Sequence, residues 1–587
     1  MIEYLAPTLE PYKGCTIIDV HPGACLWSAK LHDFLKPKRH ILMEPEERYV
    51  EPFVQPLLSK PGSTYRHTYL TGAHPRVYWD NYRKLMADPD MMEPRPMRED
   101  DDPKIRNLDT SLLVTGNLWR RYAVRYKASD VEVPNLLVRQ MIWAALSNTI
   151  FHGSGLVRSL WWSPDQFKTE MMADSIRARS NYNAGLEMGA RITEVVGAKS
   201  LETYPPPQKA ESKRPPQLDV AAANNTFQRT ANAGLRVPEA RQILQTGREA
   251  KDSELKNLKL NPLETHCKTL EDLEEATVEF EKHMDLIFRF FADLAAKQEA
   301  KPAHQSRWQQ QSKEATKMIA TLYSKSIRYH QINDSFNRRV SSLQLMRSDN
   351  QRYRSIISID LELRLLNLEA NYAAVRDNVP PDSPALEAFR TRIIARGDEI
   401  VERINDEIMT PKNYELLKVM RDDLRSFYAD PPTLTHDRRL YSPLISHAHE
   451  FWPATPMCLL DIMPAERPLA LPGLASQAEG AKVVQELLRY LYIGPRLSVV
   501  AQLNRMAPNC GNDLCPLVPE ITDARKGGRL DPNKVVVRML SEEMIEGLCR
   551  QFLEWPFRPA MWQLALASEK VVQEGEMEEG VDEEEDV

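Results

Sequence analysis

Four short apolar runs constrain this chain more than any other feature. Residues 15–20 read CTIIDV, 39–44 RHILME, 111–115 SLLVT and 156–162 LVRSLWW. The first two close on an acid, and the third leads into Gly116-Asn117. None alternates apolar with polar residues, so each predicts a strand covered on both faces. A helical pattern, LLVRQMIWAAL, lies between the last two. Continuous strands alternating with helices predict an α/β fold on a parallel sheet. Far downstream, FWPATPMCLLDIMP (451–464) reads as a strand returning to that sheet.

The excursion between is of another kind. TYPPPQKAESKRPPQ (203–217) is a Pro-rich polar linker. From there to about 430 the chain is charged and helical. Leu270, Leu273, Thr277, Phe280, Met284, Ile287, Phe291 and Leu294 follow steps of three and four, with Thr269 as N-cap. That stripe predicts a helix in a bundle. Two more helices are expected over 351–375 and 383–409, split by Val379-Pro380-Pro381-Asp382. Helical patterns resume from 474 to 570. The predicted divisions are 1–204, the first part of the sheet domain; 205–435, a helical insertion packing as its own bundle; 436–472, returning strands; 473–572, a C-terminal helical domain; and 573–587, an acidic tail.

Composition excludes little. In 587 residues, 42% are hydrophobic and 27% charged, which suits a packed core and several domains. The net charge of −7 comes from nine acids between Glu574 and Asp586; the rest of the chain stands at +2. Local charge is therefore the better guide to partners. Seven cysteines are too few and too scattered for a disulfide framework. Cys510 and Cys515 form the only close pair, and a zinc site would need two more ligands. No run of 18 uncharged apolar residues predicts a transmembrane helix. The N-terminus matches neither a signal peptide nor an Arg-rich transit peptide.

Residues 17–28 and 39–46 together carry a nucleotide-site layout: strand, acid, glycine-bearing turn, helix, strand, acid. Such a turn brings backbone close to a ligand at a helix N-terminus. Glu44 would accept from ribose hydroxyls at the carboxyl edge of the sheet. It follows Asp19 by 25 residues, near the spacing such units show.

Further pieces make the pattern more specific. They are Asp19-Val20-His21-Pro22-Gly23-Ala24-Cys25, Glu44-Pro45-Glu46, Asn117-Leu118-Trp119-Arg120, Phe451-Trp452-Pro453 and Arg538-Met539-Leu540-Ser541. In this order the chain resembles the rRNA adenine N6,N6-dimethyltransferase family over about 1–200 and 436–570. LWWSPDQF (160–167) brings it nearest to the fungal mitochondrial transcription factor B branch. The resemblance implies a Rossmann-like class I methyltransferase domain with a large helical insertion and a C-terminal helical domain. It implies an S-adenosylmethionine site at Asp19, His21, Gly23, Glu44 and Asn117, and a methyl-acceptor loop at Asn117, Leu118 and Trp119. It also implies a mitochondrial location and two alternative roles. One is a transcription initiation factor for a single-subunit mitochondrial RNA polymerase, acting on promoter DNA. The other is a dimethyltransferase of small-subunit rRNA.

Departures from the family pattern favour the factor. His21 and Cys25 stand where the family has glycines, and a Cβ there restricts the backbone and narrows the space beside a cofactor. YRHTYLTG (65–72) offers no acid for the cofactor's adenine amine. Trp119 and Arg120 replace the family's proline and aromatic, which hold and stack the extruded base. S-adenosylmethionine is therefore expected to bind weakly or not at all.

Two stretches mix cations with aromatics. Trp119, Arg120, Arg121, Arg125 and Lys127 follow the third run directly. Residues 301–354 carry eleven Lys/Arg against three acids, interleaved with aromatics, including Arg328, Tyr329, Arg338 and Arg339. Phosphate contacts plus stacking platforms predict nucleic-acid binding at both; a solvated basic helix face is the alternative at the second.

Overall fold

The sheet contains the five strands read from the sequence and three more. The computed structural model describes every residue except 75–76, 101, 120–132, 199–215, 239–240, 242–264, 300–348, 381–382, 405–410, 468, 470, 475 and 560–587. Its strands are β1 (Thr16–Val20), β2 (Arg39–Met43), β3 (Tyr65–Thr68), β4 (Leu112–Asn117), β5 (Ser159–Pro164), β6 (Ala190–Ala198), β7 (Leu444–Ser446) and β8 (Met457–Pro464). They stand in the order β3-β2-β1-β4-β5-β8-β6-β7. All pair in parallel except β8, which runs antiparallel to both β5 and β6. The expected parallel sheet is thus present, with β8 as its one reversed strand. β7 leaves at the carboxyl edge and β8 starts after the short loop 447–456. A parallel return needs a longer crossover, so β8 must run back down.

Both faces of the sheet are covered, as the unbroken apolar runs require. Ile18, Val20, Val114, Trp161 and Leu460 face one core. Ile17, Leu113, Leu160 and Leu459 face the other, under α1 (Ile2–Leu9) and α2 (Leu26–Leu35). Gly116 is fixed by close packing: a Cβ would lie 2.6 Å from the Val20 carbonyl and 2.8 Å from the Trp161 ring. Arg158 donates to both carboxylate oxygens of Asp461, at 2.8 and 2.6 Å, and to the Thr8 carbonyl. That buried pair ties β5 to β8 and to α1. α3 (Tyr78–Ala87) follows β3, α4 (Val133–Leu146) precedes β5, and α5 (Asn181–Gly189) precedes β6.

The helical stretch holds α6 (Pro216–Asn232), α7 (Leu270–Glu299), α8 (Asp349–Arg376), α9 (Pro384–Arg403) and α10 (Pro411–Tyr428). The predicted stripe of α7 is buried at Leu273, Thr277, Phe280, Met284 and Ile287. Thr269 caps α7 as expected, its Oγ1 accepting from the Asp272 amide at 3.2 Å. α11 (Gln477–Leu491), α12 (Val499–Met506) and α13 (Glu542–Glu554) build a third core that takes in Ala184 and Met188.

The insertion's core is made of its own helices except for one buried residue of the C-terminal part, and buried ion pairs join the two. Leu530 sits in the same cluster as Leu273, Phe280 and Leu365. Arg529 lies against Glu369 of α8 at 2.8 Å, and the Leu530 amide donates to the same carboxylate. Asp422 of α10 pairs with Arg421, Arg425 and Arg538, all buried. Arg425 donates to the Gly527 carbonyl, and Asp423 accepts from the Ile176 amide. A chain without 205–435 would lose these carboxylates and uncover Arg529 and Arg538. The bundle therefore packs on the rest of the chain through a charged, buried seam.

Among the described residues, no helix is long and apolar enough to cross a membrane. Cys510 and Cys515 are buried thiols, pushed up to about 12 by burial. Among the described residues, no group of three or more His, Cys, Asp or Glu is placed to hold a metal ion.

Candidate functional site at the carboxyl edge of the sheet

Strands β1, β2, β3, β4 and β5 all leave the sheet on one edge, and their exits bring the predicted residues together. β1 runs into a loop whose backbone is left-handed three times, at His21 (φ +53°), Gly23 (φ +55°) and Cys25 (φ +56°). The side chains at 21 and 25 adopt that conformation although left-handed geometry costs roughly 1–2 kcal/mol at a residue with a Cβ. The loop is over-determined instead. The His21 amide donates to the Met43 carbonyl at 3.0 Å, and the Cys25 amide closes a turn on Pro22 at 3.0 Å. The His21 ring meets Thr71 Oγ1 at 3.0 Å and is buried between the β1 and β3 exits.

Glu44 is the hub of the loop. One carboxylate oxygen accepts from the Gly23 amide and the other from the Glu46 amide, both at 3.1 Å. Its own carbonyl meets the His67 ring at 2.9 Å. The side chain is 2% exposed. Each oxygen has a further lone pair, so the two amides do not exhaust the carboxylate as an acceptor; its burial is what leaves little surface for a ribose to reach. Cys25 donates to the Gly23 carbonyl, its thiol pushed up to about 12 by burial and by the Asp19 and Glu44 carboxylates. That thiol stays protonated and is no nucleophile.

Asp19 points the other way, into the layer under α2. His40 Nε2 lies 3.3 Å from its carboxylate, His40 Nδ1 lies 3.2 Å from His32 Nδ1, and His32 Nε2 lies 3.5 Å from Thr64 Oγ1. One proton arrangement satisfies the chain. Thr64 donates to His32, His32 to His40, and His40 to Asp19. Burial and the neighbouring His40 hold His32 down to about 4, which keeps it neutral. This relay was not read from the sequence. The signal available was His40 itself, a polar ring within an apolar strand.

At the β4 exit, Asn117 is half-buried and its Oδ1 accepts from the Trp119 amide at 2.8 Å. This local turn engages the side-chain oxygen with backbone. Leu118 is buried, its amide donating to the Trp162 carbonyl at 2.8 Å. Trp119 is half-buried against the α1–α2 side core. Behind it, Trp27 donates to Thr115 Oγ1 at 3.0 Å and meets Trp162 edge-on at 5.7 Å. Phe451 closes the group, 5.4 Å from Trp162.

The structure thus joins His21, Gly23 and Glu44 in one bonded loop, sets Asp19 beneath it, and sets Asn117 and Trp119 at the exit of β4, the strand paired with β1. Arg120, Arg121 and Arg125, and Arg328, Tyr329, Arg338 and Arg339, lie outside the described residues. The residues present fit S-adenosylmethionine poorly, because the His21 ring occupies the loop and the Glu44 carboxylate is buried beneath it. Neither the protein-family models nor the curated proteins include a match to this chain.

Proposed function

We propose that this chain is a non-catalytic nucleic-acid-binding factor on a methyltransferase-type scaffold, a mitochondrial transcription initiation factor that helps a single-subunit RNA polymerase recognise and melt its promoter. The scaffold part of the reading is supported by the strand order, with reversed β8 between β5 and β6, which is the layout expected of a class I methyltransferase domain. The factor part is carried by one observation: the Glu44 carboxylate is closed onto the Gly23 and Glu46 amides under a loop filled by His21. Aromatics gathered around the β4 exit suit unpaired bases better than a methyl-acceptor pocket.

A second reading keeps one supporting observation. The left-handed backbone at 21, 23 and 25 is the conformation a glycine-rich cofactor loop adopts. On that reading the chain is an S-adenosylmethionine-dependent rRNA adenine dimethyltransferase. Calorimetry with S-adenosylmethionine separates the two. The factor reading expects no submicromolar binding. Tight binding that Glu44→Ala abolishes would restore the enzyme. In the positive direction, adding the chain to purified mitochondrial polymerase should raise the fluorescence of a promoter carrying 2-aminopurine in its melted segment.

A further inference from the structure

Of the described tryptophans only two are exposed, Trp79 at 37% and Trp452 at 96%. Trp452 is not a frayed side chain on a loose loop. The residue before it, Phe451, is rooted by its ring on Trp162 at 5.4 Å and by its amide on the Ala448 carbonyl at 3.2 Å. On the other side the Pro456 carbonyl accepts from the Asp165 amide at 3.0 Å. Upstream, Glu450 pairs with Arg241 at 2.6 Å and accepts from the His447 amide. Residues 452–454 therefore form a short exposed tip pinned at both ends.

The tip stands beside the β4 exit. Trp162 is the register partner of Asn117, and Phe451 packs on Trp162. Trp452 is one residue beyond that contact, on the carboxyl edge where ligands meet open α/β sheets. An indole 96% exposed on an anchored backbone leaves its faces open for stacking, and with only two side-chain torsions it loses little entropy on binding. The sequence leaving β4, Trp119-Arg120-Arg121, puts cations next in the chain, which favours a polyanionic occupant over an apolar peptide.

We propose that Trp452 is a stacking platform for an unpaired nucleobase, held on the tip 452–454 and working beside the β4 exit. This rests on the nucleic-acid-binding reading above and adds to it the residue that takes a base. Stacking on an aromatic tolerates any base, because each has a π-face. The platform therefore supplies affinity for single strands without sequence preference, and an intact duplex cannot use it.

The test uses the full chain, a fluorescein-labelled mixed-sequence DNA single strand and the same strand annealed to its complement. Trp452→Ala should weaken single-strand binding about 5- to 160-fold, the range that loss of one stacked base implies. Duplex binding and the salt slope should hold, and Trp452→Phe should recover most of the loss. Because Trp452 is exposed, its melting temperature should match wild type, so the loss cannot be assigned to misfolding. Unchanged single-strand affinity in Trp452→Ala overturns the platform while the nucleic-acid reading stands. No single-strand binding by the wild-type chain overturns both. Unchanged strand affinity together with lost binding of the purified polymerase overturns it in favour of a protein contact.

Discussion

The sheet and the junction below the helices are both fully buried, yet they are held together by opposite means. In the sheet, Ile17, Ile18, Val20, Leu113, Val114 and Leu160 have no exposed surface, and apolar contact dominates, with the Arg158–Asp461 pair as a buried tie. In the junction, Arg425, Asp422, Asp423, Glu369 and Arg529 occupy positions that apolar residues fill elsewhere. Burial pushes Arg425 down to about 9, with Arg529 and Arg421 adding to that against Asp422, while Asp422 is held below its usual value by Arg421, Arg425 and Arg538 against the opposing effect of burial. An apolar core loses its contacts one by one and can relax around a gap. A buried charge network is satisfied only as a set, and removing one member strands the others.

The largest expected effect follows from that asymmetry. Glu369→Ala would remove both oxygens that Arg529 uses and the acceptor of the Leu530 amide. Leaving a buried arginine unpaired costs about 3–5 kcal/mol. Denaturant unfolding should show a loss of that size. Replacing the pair together, Glu369→Leu with Arg529→Met, should recover much of it. A single-mutant loss below about 1 kcal/mol would mean that the junction admits water and that the contrast with the sheet is one of degree.

The same contrast explains what the sequence could reveal. Apolar runs at 15–20, 39–44, 111–115 and 156–162 became β1, β2, β4 and β5 because a doubly covered strand writes its burial into adjacent residues. β3 was harder: Tyr65-Arg66-His67-Thr68 is an edge strand with a half-exposed, polar sequence. β7 is three residues long and carries no period at all. The junction was illegible for a different reason. Arg421-Asp422-Asp423-Leu424-Arg425 looks like a solvated helix face, and its partners lie far along the chain at Glu362, the Gly527 carbonyl and Arg538. At the candidate site, Glu44 and Gly23 were legible from strand and turn spacing, whereas the His21–Thr71 contact and the Asp19–His40–His32 relay needed the fold to bring distant loops together.

A smaller effect probes the sheet on its own terms. Gly116→Ala would place a methyl 2.6 Å from the Val20 carbonyl and 2.7 Å from its Cβ, both on the neighbouring strand. Backbone cannot yield as the tip of a long side chain can, so β4 must move off β1. Overpacking of this kind costs about 1–3 kcal/mol. The shift would also move Asn117 and Trp119, so single-strand affinity should fall along with thermal stability. A stable Gly116→Ala chain with wild-type affinity would mean that the β1–β4 contact has slack and does not set the geometry of the edge.

The smallest effect separates the two regions by pH. His32 on the sheet side is held down to about 4, from an ordinary value of 6.5, by burial and by His40. A neutral form favoured by folding means that the unfolded chain binds the proton first. Stability from this group is complete above pH 6.5 and falls as pH drops from there toward about 4, below which both states are protonated. Asp422 in the junction works in another window. Its folded value lies below the ordinary 3.8, so its contribution is complete above 3.8 and is lost only as pH falls through the lower folded value. The arginines stay charged throughout. Unfolding free energy measured from pH 7.5 to 4.5 should therefore decline through the histidine side of the molecule, with the junction intact. His32→Gln should flatten that decline, keeping an amide near Thr64 and His40 without a titrating ring. An equal slope in His32→Gln would shift the effect to His152, which burial and the nearby Arg106 and Arg95 hold down to about 3. A steep loss confined below pH 4 would place the acid-sensitive joint at Asp422 instead.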